Sequence, residues 1–335
     1  VFDTVGVTAL IAGGALAGWL AARAWRARHP LAKWSGVTVA GLVSVACTAL
    51  LCIALLGFYR INFPSRRPPA SEMRVAATPE LLERGARFGA FCAQCHGQNN
   101  ELPLVGSNLL GEGAPPAGTI YAANLTGAGE INGWSDAEIL RAIREGIHKN
   151  GRALIIMPSE IFRRLSDDDA HAIIAYLRSL PPTGADTPPT RLNVIGALFV
   201  GAGLVRTAAQ DPIPQPIVAP PRGATPEYGK YLVSVLGCQL CHGEQLTGGK
   251  AGGPGPPPGP SLRAIIPKWS AEDFARTLRT GIDPYKHTLN EGMPWKALSN
   301  FATDDDLMAM YVYLTAQDSG VQSRGSETAD RSADP

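Results

Sequence analysis

Two stretches, Cys92-Ala93-Gln94-Cys95-His96-Gly97 and Cys238-Gln239-Leu240-Cys241-His242-Gly243, share one spacing of two thiols, an imidazole and a glycine. Cys-x-x-Cys-His is the attachment signature of a c-type haem. Two intervening residues let both sulfurs reach one edge of the macrocycle. The helix that starts at the motif then turns the imidazole under the iron as its proximal ligand. A bare Cys-x-x-Cys also reads as a thioredoxin-like redox pair or as half of a zinc site. A single zinc site would have to gather Cys92, Cys95, Cys238 and Cys241 and leave both histidines as coincidence. The pattern therefore predicts two covalently bound haem c groups, with His96 and His242 as iron ligands.

A chain of 335 residues is long enough for two or three modules. Its formal net charge of +1 provides no field for nucleic acid, and no nucleic-acid partner is expected. The mean hydropathy of +0.01 is high for a soluble protein, and the apolar excess is concentrated at the N-terminus. Cys47 and Cys52 lie in that apolar run at a spacing suited to neither haem nor metal, and read as small core or membrane-facing side chains.

Val5 to Ala22 is eighteen residues without a charge, enough at the helical rise to cross most of a bilayer core. A second apolar run follows from Ser35 to Tyr59, so a retained transmembrane hairpin with helices at about 5–25 and 35–59 is expected rather than a signal peptide. Val1 in place of methionine suggests a chain numbered from after some processing or trimming. Arg23, Arg26, Arg28 and Lys33 place the connector in the cytoplasm by the positive-inside rule, although Arg60, Arg66 and Arg67 weaken the asymmetry. The site of c-type haem attachment in bacteria decides the orientation better. The expectation is a bacterial inner membrane protein with its haem domains and both termini in the periplasm. Gly14 and Gly18 form a small-residue surface that reads equally as the ordinary glycine and alanine enrichment of membrane helices or as a face that packs on the second helix or on a membrane partner.

Beyond residues 1–60, the expected divisions are a linker (61–78), a first domain (79–182), a crossover (183–225), a second domain (226–317) and a disordered tail (318–335). Pro79 to Phe91 reads as a helix delivering the first motif. After a Gly, Asn and Pro-rich wrap, Ser135 and Glu138 form a capping box at the start of the next helix. Asp167 to Leu180 closes the domain. Leu192 to Val205 is too short for a confident span, and reads as a crossover packed on the haem domains or touching the membrane surface. The second half repeats the first: Trp134-Ser135 against Trp269-Ser270, Arg144-Glu145-Gly146-Ile147 against Arg279-Thr280-Gly281-Ile282, and Asp167-Asp168-Asp169 against Asp304-Asp305-Asp306. This is an internal duplication.

The sixth iron position separates electron transfer from catalysis, since a thioether raises the potential and closes the iron. Met157 is the sole methionine between the first motif and the crossover. Met293, also followed by proline, holds the same place in the repeat, whereas Met308 and Met310 sit on the closing helix. The expected ligand pairs are His96 with Met157 and His242 with Met293. His148 and His287 are rivals by position, and Tyr121, Arg141 and Arg144 are candidates for the propionates.

Tyr121-Ala122-Ala123-Asn124-Leu125-Thr126, Trp134-Ser135-Asp136, Leu165-Ser166-Asp167 running into Ala175-Tyr176-Leu177-Arg178-Ser179-Leu180-Pro181-Pro182, and Tyr228-Gly229-Lys230-Tyr231-Leu232 together carry a family resemblance. From Pro79 to Thr315 the chain resembles the membrane-associated dihaem cytochromes c of respiratory dehydrogenases, in particular the cytochrome subunits of bacterial alcohol and aldehyde dehydrogenases. It departs from them in its two-helix anchor and in having two motifs where several have three. Dihaem subunits of cbb3-type oxidases are similar in layout.

The resemblance implies an all-α protein, a transmembrane helical hairpin followed by two class I cytochrome c domains. Its function would be electron transfer within a larger oxidoreductase complex rather than enzymatic activity of its own. Single electrons would pass between a dehydrogenase or quinol-oxidising partner, membrane-bound or periplasmic, and a terminal acceptor or oxidase. The contrasting readings are a dihaem peroxidase-like catalyst with one open haem, and a haem-based sensor or assembly factor.

Overall fold

The computed structural model describes residues 4–64, 73–111, 117–213, 216–249 and 258–316. The linker expected around Arg66 and Arg67 and the tail expected from Gly320 fall outside them. The chain divides into two compact units, Val1–Val218 and Ala219–Pro335.

The first unit opens with α1 (Thr4–Trp25) and α2 (Pro30–Asn62), packed on each other. Both are long and apolar enough to cross a membrane. The small-residue face of α1 packs on its own neighbour. A Cβ added at Gly14 would stand 3.4 Å from that of Cys47, and the Ser44 hydroxyl donates to the Gly14 carbonyl at 3.2 Å. The second helix starts earlier than the apolar run, because Pro30 occupies its first turn, where the missing N–H costs nothing. Lys33 lies inside the helix, with its ammonium 4.0 Å from the Trp25 ring centroid.

The helix α3 (Pro79–His96) is capped by Thr78, which accepts from Leu81 N–H, and is longer than the sequence pattern implies. It continues through the motif, so Cys92, Cys95 and His96 ride on its final turns. Two short ladders then shape the loop: β1 (Ser107–Asn108) pairs with β3 (Tyr121–Ala122), and β2 (Gly118–Thr119) with β4 (Arg191–Leu192). These four two-residue strands depart from a strictly all-α fold within a mainly helical chain. Extended backbone wrapped over a domain must still pair its buried N–H and C=O groups.

Ser135 and Glu138 form the expected capping box on α4 (Asp136–Glu145), which ends at Gly146 in the left-handed region, φ 64°. The short α5 (Ser159–Phe162) follows Met157-Pro158, and α6 (Asp167–Ser179) closes the fold with three aspartates in its first turn, where the helix dipole favours them. It packs on α3 at Gly85, where an added Cβ would come within 2.0 Å of the Ala172 carbonyl oxygen. Arg84 and the buried Asp169 form an ion pair across the same contact. The crossover holds α7 (Val194–Gly201), which packs on α2.

In the second unit α8 (Pro226–Val235) ends before the motif, and α9 (Cys238–His242) restarts after Gly237 at φ 74°. The helix that leads to the second motif thus stops just short of it, whereas α3 runs through the first. The remaining elements are α10 (Leu262–Ile265), α11 (Ala271–Thr280), α12 (Trp295–Phe301) and α13 (Asp304–Thr315). The duplication holds in three dimensions. Gly229 meets Ala309 and Tyr313 as Gly85 meets Ala172 and Tyr176, and Gly281 ends α11 in the left-handed region as Gly146 ends α4.

Candidate haem-attachment sites

In the first unit the end of α3 opens onto an apolar crevice whose empty space, open mouth included, is about 1340 Å³. Its lining is mostly aliphatic and aromatic, with Phe88, Phe91, Leu125, Ile139 and Leu177 among the walls, as suits an apolar ligand. Its walls bring together Cys92, Cys95 and His96 with Met157, residues that lie on two separate segments. Burial pushes the Cys92 thiol up to about 12, and the neighbouring Cys95 adds to the rise. Burial also raises Cys95. A thioredoxin-like pair needs the opposite, a thiol held low enough to ionise.

His96 Nδ1 lies 2.7 Å from the Ala123 carbonyl oxygen. As an N–H donor there, the ring keeps Nε2 free as a ligand, and burial lowers its pKa toward the neutral, ligating form. The Ala123 carbonyl is itself held in place by its neighbours. Asn124, fully buried, donates to the carbonyls of Thr183 and Ala185 and accepts from the N–H and hydroxyl of Thr126. The Asn-x-Thr stretch thus acts as a clamp behind the histidine, a role that sequence reading did not assign.

The Met157 loop is built on an antiparallel bridge between Ile147 and Ala153, with Leu154 N–H donating to the Gly146 carbonyl at 2.7 Å. Ile156 takes a left-handed conformation, φ 70°, uncommon for a β-branched side chain. Ser159 N–H then bonds the Met157 carbonyl at 2.9 Å as α5 begins.

Two expectations change. His148 does not line the crevice. Its Nε2 is 3.0 Å from Glu130 and its Nδ1 accepts from Asn150 N–H, so both nitrogens are engaged. Arg141 and Arg144 also turn elsewhere: Arg141 donates to the carbonyls of His148 and Lys149, and Arg144 to that of Leu165 while pairing with Asp167 at 2.7 Å. Arg141 thereby braces the loop that follows α4, and Arg144 the entry to α6. Tyr121 does line the crevice, together with Arg152 and Glu130, which sequence reading passed over. The identity of Arg152 carries no signal that would have singled it out, since a surface arginine in a loop is ordinary.

The second unit repeats two parts of this arrangement, the backbone contact of the histidine and the bridged methionine loop. His242 Nδ1 is 2.7 Å from the Pro260 carbonyl oxygen, and Gly259 lies so close that an added Cβ would be 2.6 Å from the imidazole. Desolvation pushes Cys238 up to about 12 and raises Cys241. Met293 follows the matching bridge between Ile282 and Thr288, and Trp295 N–H bonds its carbonyl at 2.8 Å. Met310 is buried on α13 and Met308 is exposed on the same helix. His287 is exposed and bonded to Asp283. Trp269 Nε1 is buried without a hydrogen-bond partner, a donor that a carboxylate of the cofactor would satisfy. The thiols, imidazoles, crevice and orphaned donor fit a covalently attached haem c.

A profile of the family described as cytochrome C oxidase, cbb3-type, subunit III, matches residues 80–177 and again 224–314, once in each unit. The chain is 30% identical over 322 residues to a subunit of nicotinate dehydrogenase from Pseudomonas putida, covering 89% of this chain and 26% of that protein. It is 29% identical over 299 residues to the cytochrome c subunit of alcohol dehydrogenase (quinone) from Gluconacetobacter polyoxogenes, covering 77% and 61%. The fructose dehydrogenase cytochrome subunit of Gluconobacter japonicus is 25% identical over 295 residues, covering 81% and 58%. The chain thus spans less than two thirds of the length of each of these relatives.

Proposed function

The chain belongs to the family of the cbb3-type cytochrome c oxidase subunit III, and from that premise we propose that it is a membrane-anchored dihaem cytochrome c that relays single electrons within a dehydrogenase complex. The observation that carries this reading is the meeting of Cys92, Cys95, His96 and Met157 on one apolar crevice. Haem c, bound through these residues, supplies a one-electron ferric/ferrous couple.

The residues of the chain do the rest. Cys92 and Cys95 would hold the macrocycle covalently, with His96 and Met157 as the residues that would ligate its iron. Ala123 fixes the imidazole, and the apolar wall excludes water and so raises the cost of a net charge at the site. Cys238, Cys241, His242 and Met293 perform the same tasks in the second domain, with Pro260 in the place of Ala123. Arg152 and Tyr121 in the first unit, and Trp269 in the second, provide donors for the propionates.

Helices α1 and α2 form the anchor, with the haem domains on the periplasmic side of the bacterial inner membrane. The partner is an oxidoreductase subunit, and three named relatives that are dehydrogenase subunits favour a dehydrogenase on the donor side. A quinol-oxidising donor and an oxidase as acceptor are the other stations compatible with this architecture.

The test is to express the chain with its periplasmic haem-attachment machinery and purify it in mild detergent. Two haems per chain by pyridine haemochrome assay, both low-spin with a methionine-to-iron band, are the expected result. A peroxide-reactive high-spin haem would replace the relay reading with the peroxidase-like one. One haem per chain would remove the second site.

A further inference from the structure

Helix α7 has an unusual composition for a connector in water. Val194-Ile195-Gly196-Ala197-Leu198-Phe199-Val200-Gly201 contains no polar side chain. Its small face is used against α2: a Cβ added at Gly57 would lie 2.0 Å from the Ala197 carbonyl oxygen, and one added at Gly201 would lie 1.9 Å from that of Ile53. Gly6, near the start of α1, meets Val194. Gly196, Ala197, Val200 and Gly201 are accordingly buried. The opposite stripe, Ile195, Leu198, Phe199 and Ala202, follows the i, i+3, i+4, i+7 spacing of one helical face and stays partly or fully exposed. A helix apolar on every side belongs in an apolar medium.

Its ends are prepared for such a medium. The Asn193 side chain accepts from the N–H groups of Ile195 and Gly196. The Arg60 guanidinium donates to the carbonyls of Val200 and Gly201, both at 3.0 Å. Terminal backbone groups satisfied by side chains are what a helix end in lipid requires. The depth also matches, because α7 touches α2 from Ile53 to Arg60 and α1 at Gly6, the end of the hairpin that leads into the first haem domain. Arg191 and Arg206, which flank α7 in the chain, are long basic side chains of the kind that reach phospholipid headgroups from a helix at the interface.

We infer that α7 lies in the outer leaflet of the bilayer, with its Ile195, Leu198, Phe199 and Ala202 face against acyl chains. The inference rests on reading α1 and α2 as a membrane hairpin. It adds a third membrane contact, placed between the two haem motifs in sequence, and it would hold the first haem domain against the membrane surface.

The test uses the full-length haem-loaded protein in vesicles of phosphatidylethanolamine and phosphatidylglycerol, with Cys47→Ala and Cys52→Ser as background. A bimane fluorophore is attached at Phe199→Cys or at the exposed Ala202→Cys, and quenching by doxyl-labelled lipids is read. Val45→Cys on the exposed flank of α2 and the exposed Val218→Cys serve as references. Quenching at positions 199 and 202 comparable to that at 45, with none at 218, is expected. Quenching at 45 but not at 199 or 202 overturns the inference and leaves the hairpin standing, whether water or a partner subunit covers α7. Absence of quenching at 45 as well overturns both. The Ala202→Cys variant, at a position outside the packed face, keeps the answer readable if Phe199→Cys fails to fold.

Discussion

Ala153 donates its backbone N–H to the carbonyl of Ile61 at 2.7 Å, which ties the last turn of α2 to the loop that presents Met157 four residues later. On its other side the same loop is held by Ala208 N–H on the Leu154 carbonyl and by a bridge between Ile155 and Thr207. The proposed axial methionine of the first haem therefore stands on a loop clasped between α2 and the crossover. Ile61, Ile120, Ile155, Leu192 and Val200 fill the space behind it as one apolar cluster.

Replacing Met157 or Met293 with alanine should lower the potential of one haem while leaving both thioether attachments intact. Axial ligands set haem potentials over roughly 0.8 V, so losing the thioether is a large change. Redox titration of each variant checks it, and an unchanged potential removes that ligand assignment.

Gly85→Val should destabilise the first domain and Gly229→Val the second. The added Cβ would fall about 2.0 Å from the carbonyl oxygen of Ala172 or Ala309, backbone that cannot step aside. Overpacking costs about 1–3 kcal/mol and this contact lies at the upper end. In a domain of this size each kcal/mol lowers Tm by roughly 4–8 °C. Calorimetry of the haem-loaded protein should show one transition moving in each variant.

Asp169→Asn breaks the ion pair with Arg84 across the contact of α3 and α6 and takes the carboxylate away from a largely buried guanidinium. The expected cost is about 3–5 kcal/mol. A double variant with Arg84→Met should recover much of it, because an apolar side chain of similar volume needs no counter-charge. Equal losses in the single and double variants, measured by denaturant unfolding, would show that the pair contributes through packing alone.

Gly259→Ala should perturb the second haem and spare the first. Its Cβ would press on the His242 ring at 2.6 Å and tilt the imidazole away from the Pro260 carbonyl. The expected signature is a shifted Soret band and potential for one haem of two. A spectrum identical to the parent would remove Gly259 as a positioning residue.

The Glu130 carboxyl is held below its ordinary value of 4.5, chiefly by its hydrogen bond with His148 and against the opposing effect of burial. A depressed folded pKa means that the stabilisation is present above the unfolded value and is lost as pH falls through the folded one. Glu130→Gln should therefore lower the stability of the first domain at neutral pH and flatten its acid denaturation curve below pH 4.5. Parallel acid titrations of parent and variant followed by circular dichroism decide this, and superimposable curves would refute it.

Much of the site was legible because covalent haem attachment demands a fixed local pattern. Cys92, Cys95 and His96 must follow one another within little more than a single turn of helix, so the chemistry lies in contiguous letters. Met157 stands out as the sole methionine between the first motif and the crossover, and Met293 as the proposed counterpart by register, since each precedes a proline. The capping box of Ser135 and Glu138 is equally local, and so was readable. Arg152 at the crevice, and the turn of Arg141 and Arg144 toward backbone carbonyls, were not, because a long flexible side chain is directed by neighbours distant in sequence.

By itself, then, the sequence determined the two attachment motifs, the repeat, and two apolar runs long enough to cross a bilayer, all properties of short windows of chain. Tertiary structure alone decided that the Ala123 and Pro260 carbonyls aim the two imidazoles, that Gly85 and Gly229 let paired helices touch backbone to backbone, and that α7 packs on α2. Each of those facts joins residues far apart in the chain through close packing and hydrogen bonding. Such contacts become visible only when folding brings their partners within a few ångströms.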